Sequence, residues 1–277
     1  MTSTVDPVSA GDQVDDRRPP SPTRVPFRAA ISQSATMARR GLLKIKHNPQ
    51  QLFDVIVLPI VFTIMFSTIF GGAIAGSVEA YLPLLIPGVL VQVSVAASVV
   101  TGVQLREDLD KGVFDRFKSL PIARIAPLAG ALVANAVRYV VATVITVAVG
   151  MLMGYRPHSL GGLALACVLV VVVAFTLSWV FALLGVLLDK ASTVQGVSML
   201  VLMPMTFVSN ALVPIATMPG WMQAIASVNP VSHLVSAARA LADGQPAGLQ
   251  IAYTLAGAAA VLTIFVPITL RTYMRRT

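Results

Sequence analysis

Six apolar stretches, each close to the ~20 residues that carry a helix across the hydrocarbon of a bilayer, occupy most of the chain. They run from Leu52 to Phe70, Tyr81 to Thr101, Leu128 to Met151, Leu163 to Leu187, Val194 to Val213 and Ile251 to Leu270. Lipid offers no partner to a backbone N–H or C=O, so segments of this kind fold as helices that bond internally. The expected fold class is an all-α integral membrane protein with six transmembrane helices. Composition agrees: 12% of the residues are charged, against ~25% in a soluble domain, and 56% are hydrophobic.

A net charge of +8 invites a nucleic-acid reading, but the cations lie between the spans and toward the ends, where membrane topology accounts for them. Seventeen Lys and Arg fall on one side of the spans, only Arg156 and Arg239 on the other, and Arg138 within the third span. The positive-inside rule then puts both termini in the cytoplasm. Cys167 is the only cysteine, so a disulfide within the chain is impossible.

Residues 1–26 are rich in Pro, Ser, Asp and Arg and are expected to be a disordered cytoplasmic tail, because they bury too little to offset chain entropy. They hold no apolar core behind a basic start, so the first span is the expected targeting signal. The membrane domain is expected over 27–277 and begins with an interfacial helix over 27–47. There Ile31, Ala35, Ala38, Leu42 and Ile45 repeat at helical spacing opposite Arg28, Arg39, Arg40, Lys44 and Lys46. The stripe suits acyl chains and the cations suit lipid phosphates. A soluble helix packed on another protein is the alternative.

The long charged interruption is the loop 105–124, LREDLDKGVFDRFKSLPIAR. Leu109, Val113, Phe117 and Leu120 form one apolar stripe at spacings of four, four and three, and Pro121 stops the helix. Glu107, Asp108 and Asp110 are expected in the first turn of that helix, at the positive end of its dipole. A helix furnished on both faces is either a docking element for a protein partner or a solvated connector between two spans.

The outer segment 214–248 carries a second pattern. Trp221, Ile225 and Val228 share one helical face, Asn229-Pro230 breaks the chain, and Val231, Leu234, Val235, Ala238 and Leu241 begin a second stripe. Two hinged helices too short to cross a bilayer imply a re-entrant hairpin. Trp221 alone is equally a membrane-interface anchor.

Ionisable and amide groups inside spans are costly and so are candidates for function. Asp54 and Arg138 are read first as structurally paired, with snorkelling open to Arg138. Asn135, Gln195 and Asn210 are read as bridges between helices. Pro59, Pro87 and Pro204 are candidate kinks. His233 has no second His or Cys at metal spacing. No phosphate loop, zinc-protease or serine-hydrolase motif is present, so no catalytic residue and no cofactor are assigned to this chain.

Glu107, Gly112, Phe114, Leu120 and Pro121, with their flanking spans, resemble the cytoplasmic segment of ABC-2 type permeases, most of all the daunorubicin-resistance type of antibiotic exporter. Pro214, Met218-Pro219, Trp221, Asn229-Pro230 and Arg239 resemble the outer segment of the same family. The likeness runs from about Arg40 to the C-terminus. It implies a coupling helix that meets a separate ATPase subunit through Glu107, Gly112, Phe114 and Pro121, and Asp108, Val113 and Phe117 join this set from the charge and stripe of the same segment. It also implies ATP and Mg on that partner, a second permease copy or homologue, lipid contacts, and export of a hydrophobic or amphipathic substrate such as an antibiotic. Export of a lipid or glycan, and a non-transporting membrane scaffold or sensor, are the alternatives.

Overall fold

A computed structural model gives the structure and describes residues 49–112 and 126–276, with side chains over 56–112 and 128–275. The expected tail over 1–26, the interfacial helix over 27–47 and Val113, Phe114, Phe117 and Pro121 lie outside the described residues. Among the described residues, all regular structure is helical. The elements are α1 (Pro49–Ala75), α2 (Val78–Asp110), α3 (Ala126–Leu152), α4 (Leu160–Leu187), α5 (Ala191–Phe207), a 3-10 turn (Ile215–Thr217), α6 (Gly220–Val228), α7 (Pro230–Ala242) and α8 (Gly248–Arg276).

Five of these, α1, α2, α3, α4 and α8, are long and apolar enough to cross a membrane. The expected fifth span, Val194 to Val213, is shorter than its apolar run, because α5 is 17 residues and stops at Phe207. The chain after Pro204 has competing local bonds. Ser209 donates through Oγ to the Thr206 carbonyl at 2.5 Å and accepts from the Ala211 N–H at 3.3 Å. Side chains of this type offer the backbone an alternative to the helix ladder.

Helix boundaries follow local chemistry. Ser77 and Ser159 cap α2 and α4 by accepting from Ala80 N at 3.2 Å and Gly162 N at 3.0 Å. Pro49 opens α1, where a missing N–H costs nothing. Gly112, at φ +61°, ends α2 in the left-handed conformation, and its N–H reaches the Leu109 carbonyl at 3.1 Å. Pro59, Pro87 and Pro204 all sit inside continuous helices.

The 33-residue α2 is the axis of the fold, packed against α1, α3, α4, α5 and α7. Toward α1 it buries Tyr81, Leu85, Val89 and Val93 against a ladder of Phe62, Phe66 and Phe70, whose ring centroids lie 5.4 and 5.7 Å apart. Toward α3 the contacts include hydroxyls. Thr101 and Tyr139 bond at 2.7 Å and Ser94 and Thr143 at 3.3 Å. Toward α4 the two backbones nearly touch: a Cβ on Gly102 would lie 2.2 Å from the Phe181 carbonyl oxygen, and one on Gly185 would lie 2.3 Å from that of Gly102. In lipid there is little hydrophobic drive between helices, so such small-residue crossings gain dispersion contacts that larger side chains would block.

Gly185→Val is expected to destabilise the folded chain by about 3 kcal/mol, because neither helix can retreat without opening this crossing. Gly257→Val is the control, since no atom lies within 4 Å of a Cβ at that site. The check is the thermal transition of both variants in detergent; equal stability would mean the crossing is not tight.

Candidate functional site

The first candidate region is at the end of the bundle where α5 stops. A helix that ends leaves carbonyls without partners, and away from water each needs a donor. Asn229 and Arg239, from the segment after α5, supply them. Asn229 donates through Nδ2 to the carbonyls of Met205 at 2.7 Å and Val208 at 2.8 Å, while its Oδ1 accepts from Val231 N at 2.9 Å and so caps α7. Arg239 donates to Asn210 O at 2.6 Å and Ala211 O at 3.0 Å, and its fork also reaches Leu84 O on α2 through Nε at 3.0 Å and Nη2 at 2.8 Å. A cation beside the C-terminal end of a helix is also favoured by the dipole. Tyr81 adds a bond from its hydroxyl to Leu212 O at 2.6 Å.

Arg239 thus fastens α7, the turn after α5, and α2 together. Close backbone approach makes this possible: a Cβ on Gly88 would lie 1.8 Å from Ala211 O, and one on Gly162 would lie 1.8 Å from Leu241 O. Pro87, one residue before Gly88, has no N–H to give the Pro83 carbonyl, and the neighbouring Leu84 carbonyl is the one that Arg239 takes. The loop between α3 and α4 joins the same end, where Ser159 N donates to Ala242 O at 3.0 Å. Burial, aided by the nearby Asp243 carboxylate, pushes the Tyr155 phenol of this loop up to about 12, so it stays neutral.

The two stripes of segment 214–248 separate. On α7, Val231, Leu234, Val235 and Ala238 are buried against the helices. On α6, Trp221, Ile225 and Val228 are exposed, at 65%, 48% and 77%, so that face is available to lipid or another surface. Pro230 opens α7 at a position where its missing N–H is harmless.

The second candidate region is at the far end of α2. Glu107 and Asp108 belong to the last turns of α2 and not, as expected, to the first turn of a following helix. Their position at the negative end of the dipole is unfavourable, and basic neighbours offset it. Arg106 bonds Asp110 at 3.0 Å through Nε, and Lys111 pairs with Glu107 at 3.5 Å, both at the i, i+4 spacing. Arg106 also reaches Leu188 O at 3.3 Å and ties the ends of α2 and α4.

The intramembrane polar candidates do not form one cluster. Asn135 and Arg138 are buried near the middle of α3, at 4% and 3% exposure, so Arg138 does not snorkel; it has interaction partners within the protein. Asn210 belongs to the first region and donates to Ser236 at 2.8 Å. Gln195 on α5 is exposed, so the bridge expected of it is absent. Asp54 lies on α1, outside the described side chains. The sequence reading missed Tyr81, Gly88, Gly102 and Gly185. A glycine deep in a long apolar stretch was the available signal.

Arg239→Met is expected to cost about 3 kcal/mol or more, because it removes charge-assisted bonds and strands buried carbonyls. Arg239→Lys should recover only part, since a point charge cannot span the same acceptors. Thermal unfolding of both variants checks this; a Lys variant as stable as the parent would reduce the fork to a simple charge.

Comparison with known proteins agrees with this architecture. The profile of the ABC-2 type transporter family matches residues 32–242. The chain is 43% identical over 253 residues, 91% of its length and 89% of the relative's, to the daunorubicin resistance ABC transporter permease protein DrrB1 of Streptomyces coeruleorubidus. It is 27% identical over 151 residues, 52% of each chain, to a probable doxorubicin resistance ABC transporter permease protein DrrC of Mycobacterium tuberculosis. The family match covers most of the chain and the first relative nearly all of it, so the chain belongs to the ABC-2 type transporter family of membrane permeases.

Proposed function

We propose that this chain is the membrane permease subunit of an ATP-driven exporter that moves hydrophobic or amphipathic compounds, daunorubicin-like antibiotics among them, out of the cell. The 43% identity across 91% of the chain to a daunorubicin resistance permease carries this reading. The subunit itself is not catalytic. ATP and Mg belong to a separate ATPase subunit, and two permease copies, identical or homologous, form the membrane unit in the plasma membrane.

In this reading α5 is also a span, the fifth of six in chain order, although its 17 residues reach only ~25 Å along the axis. The bonds of Asn229 to Met205 and Val208 support a hairpin of α6 and α7 that enters the outer leaflet, because Met205 lies ~21 Å along α5 from its charged start. Both termini and the segment 105–124 are cytoplasmic, as the seventeen-to-two bias of basic residues supports.

The coupling region then begins at the end of α2. Glu107, Asp108 and Gly112 sit there, and Val113, Phe114, Phe117 and Pro121 continue the segment that meets the ATPase. Leu84, the α2 anchor of Arg239, lies ~35 Å from Glu107 along the same helix. A displacement of the cytoplasmic end by ATPase closure is therefore delivered to the outer fastening by one continuous rod.

Phe114→Ala and Phe117→Ala are each expected to weaken ATPase association by about thirtyfold, the loss of ~2 kcal/mol typical of an aromatic anchor, with membrane insertion unchanged. Co-purification of the ATPase and efflux of daunorubicin at matched expression measure this; full binding and efflux in both variants would remove the coupling role. For topology, Lys111→Cys in a Cys167→Ser background should resist an impermeant thiol reagent in intact cells. Labelling there would reverse the orientation.

A further inference from the structure

Beneath the Arg239 fastening, three buried polar atoms from three elements have no hydrogen-bond partner: Gln92 Oε1 on α2, Asn210 Oδ1 in the turn after α5, and Ser232 Oγ on α7. Their residues are 6%, 6% and 3% exposed. A buried carbonyl or hydroxyl without a partner is costly, and native interiors keep few of them, so a group of three at one junction calls for a ligand.

Helix register places them together. On α2, Leu84, Gly88 and Gln92 form one row at i, i+4 spacing: Leu84 bonds Arg239, Gly88 abuts Ala211, and Gln92 is one turn deeper. On α7, Arg239, Ser236 and Ser232 form the facing row, in which Ser236 bonds Asn210 and Ser232 is one turn deeper. Register therefore sets the deeper members of both rows, Gln92 and Ser232, one turn below the level of Asn210. Val91 and Val95 of α2 and Val231 and Val235 of α7 flank them in the same apolar cluster, with Ala211. Polar atoms are thus set within an apolar wall.

We propose that Gln92, Asn210 and Ser232 form a buried acceptor site for a hydrogen-bond donor of the hydroxyl type, closed on the outer side by Arg239. Two of its unpartnered atoms are amide carbonyls, which only accept, and the third is a hydroxyl, which rotates to suit. Water and a hydroxyl of the exported compound share the required chemistry. The cargo half rests on the export reading above; the site itself does not.

The test uses the full chain co-purified with its ATPase subunit. Ser232→Ala removes one polar atom, and Gln92→Met replaces an amide by an apolar side chain of similar size. Thermal unfolding without drug reads the water source, and equilibrium binding of daunorubicin, followed by its own fluorescence, reads the cargo source. An occupied site predicts a lower transition temperature in both variants, because a bonded network has been cut. Cargo donation predicts, in addition, affinity for daunorubicin weakened about fivefold or more. Lower stability with unchanged affinity assigns the site to water. Stability that is equal or raised, with unchanged affinity, overturns the site, since removing an unpartnered buried polar atom is neutral or favourable. Failure of the parent complex to bind daunorubicin would count against the export of that compound and leave the thermal result to decide the site.

Discussion

A helix that stops inside an apolar bundle must have its last carbonyls satisfied by the protein, and at the end of α5 this constraint recruits residues from across the chain. Val208 N serves the Pro204 carbonyl, Asn229 serves Met205 and Val208, Ser209 serves Thr206, Arg239 serves Asn210 and Ala211, and Tyr81 serves Leu212. The donors come from α2, from the turn itself and from the segment after it. Without them the end of α5 would leave buried carbonyls unpaired.

The same bonds give segment 214–248 its asymmetry. Its buried helix, α7, is held at both ends, by Asn229 at its start and Arg239 near its close, while α6 is attached mainly to α7 and the 3-10 turn. Apolar area follows the tether: α7 presents its stripe to the core, and α6 keeps Trp221, Ile225 and Val228 outward. One amide and one guanidinium thus fasten the helix whose stripe is interior.

Through Leu84 the constraint reaches α2, and α2 extends it to the opposite end of the bundle. Its glycine crossing with α4, its hydroxyl bonds to α3 and its aromatic ladder with α1 hold it on several sides. A helix gripped this way moves as a unit with its neighbours. In the proposed exporter this joins the coupling end, Glu107 to Gly112, to the outer fastening at Arg239.

By itself the sequence determined the all-helical membrane class, five of the six expected spans as long helices and the break at Asn229-Pro230, because apolar length and breaker residues act locally. The tertiary structure alone decided where α5 ends, whereas the end of α2 follows local pairs that the apolar pattern does not show. Apolar pattern placed Glu107 and Asp108 in a new helix, yet the i, i+4 pairs carry α2 past them to its stop at the left-handed Gly112. It extended α5 to Val213, yet donors distant in sequence stabilise its stop at Phe207. The tertiary structure also decided that Arg138 is interior and that Gln92, Asn210 and Ser232 are buried. Such outcomes depend on which surfaces meet, and a one-dimensional pattern specifies periodicity but not the partner across the gap.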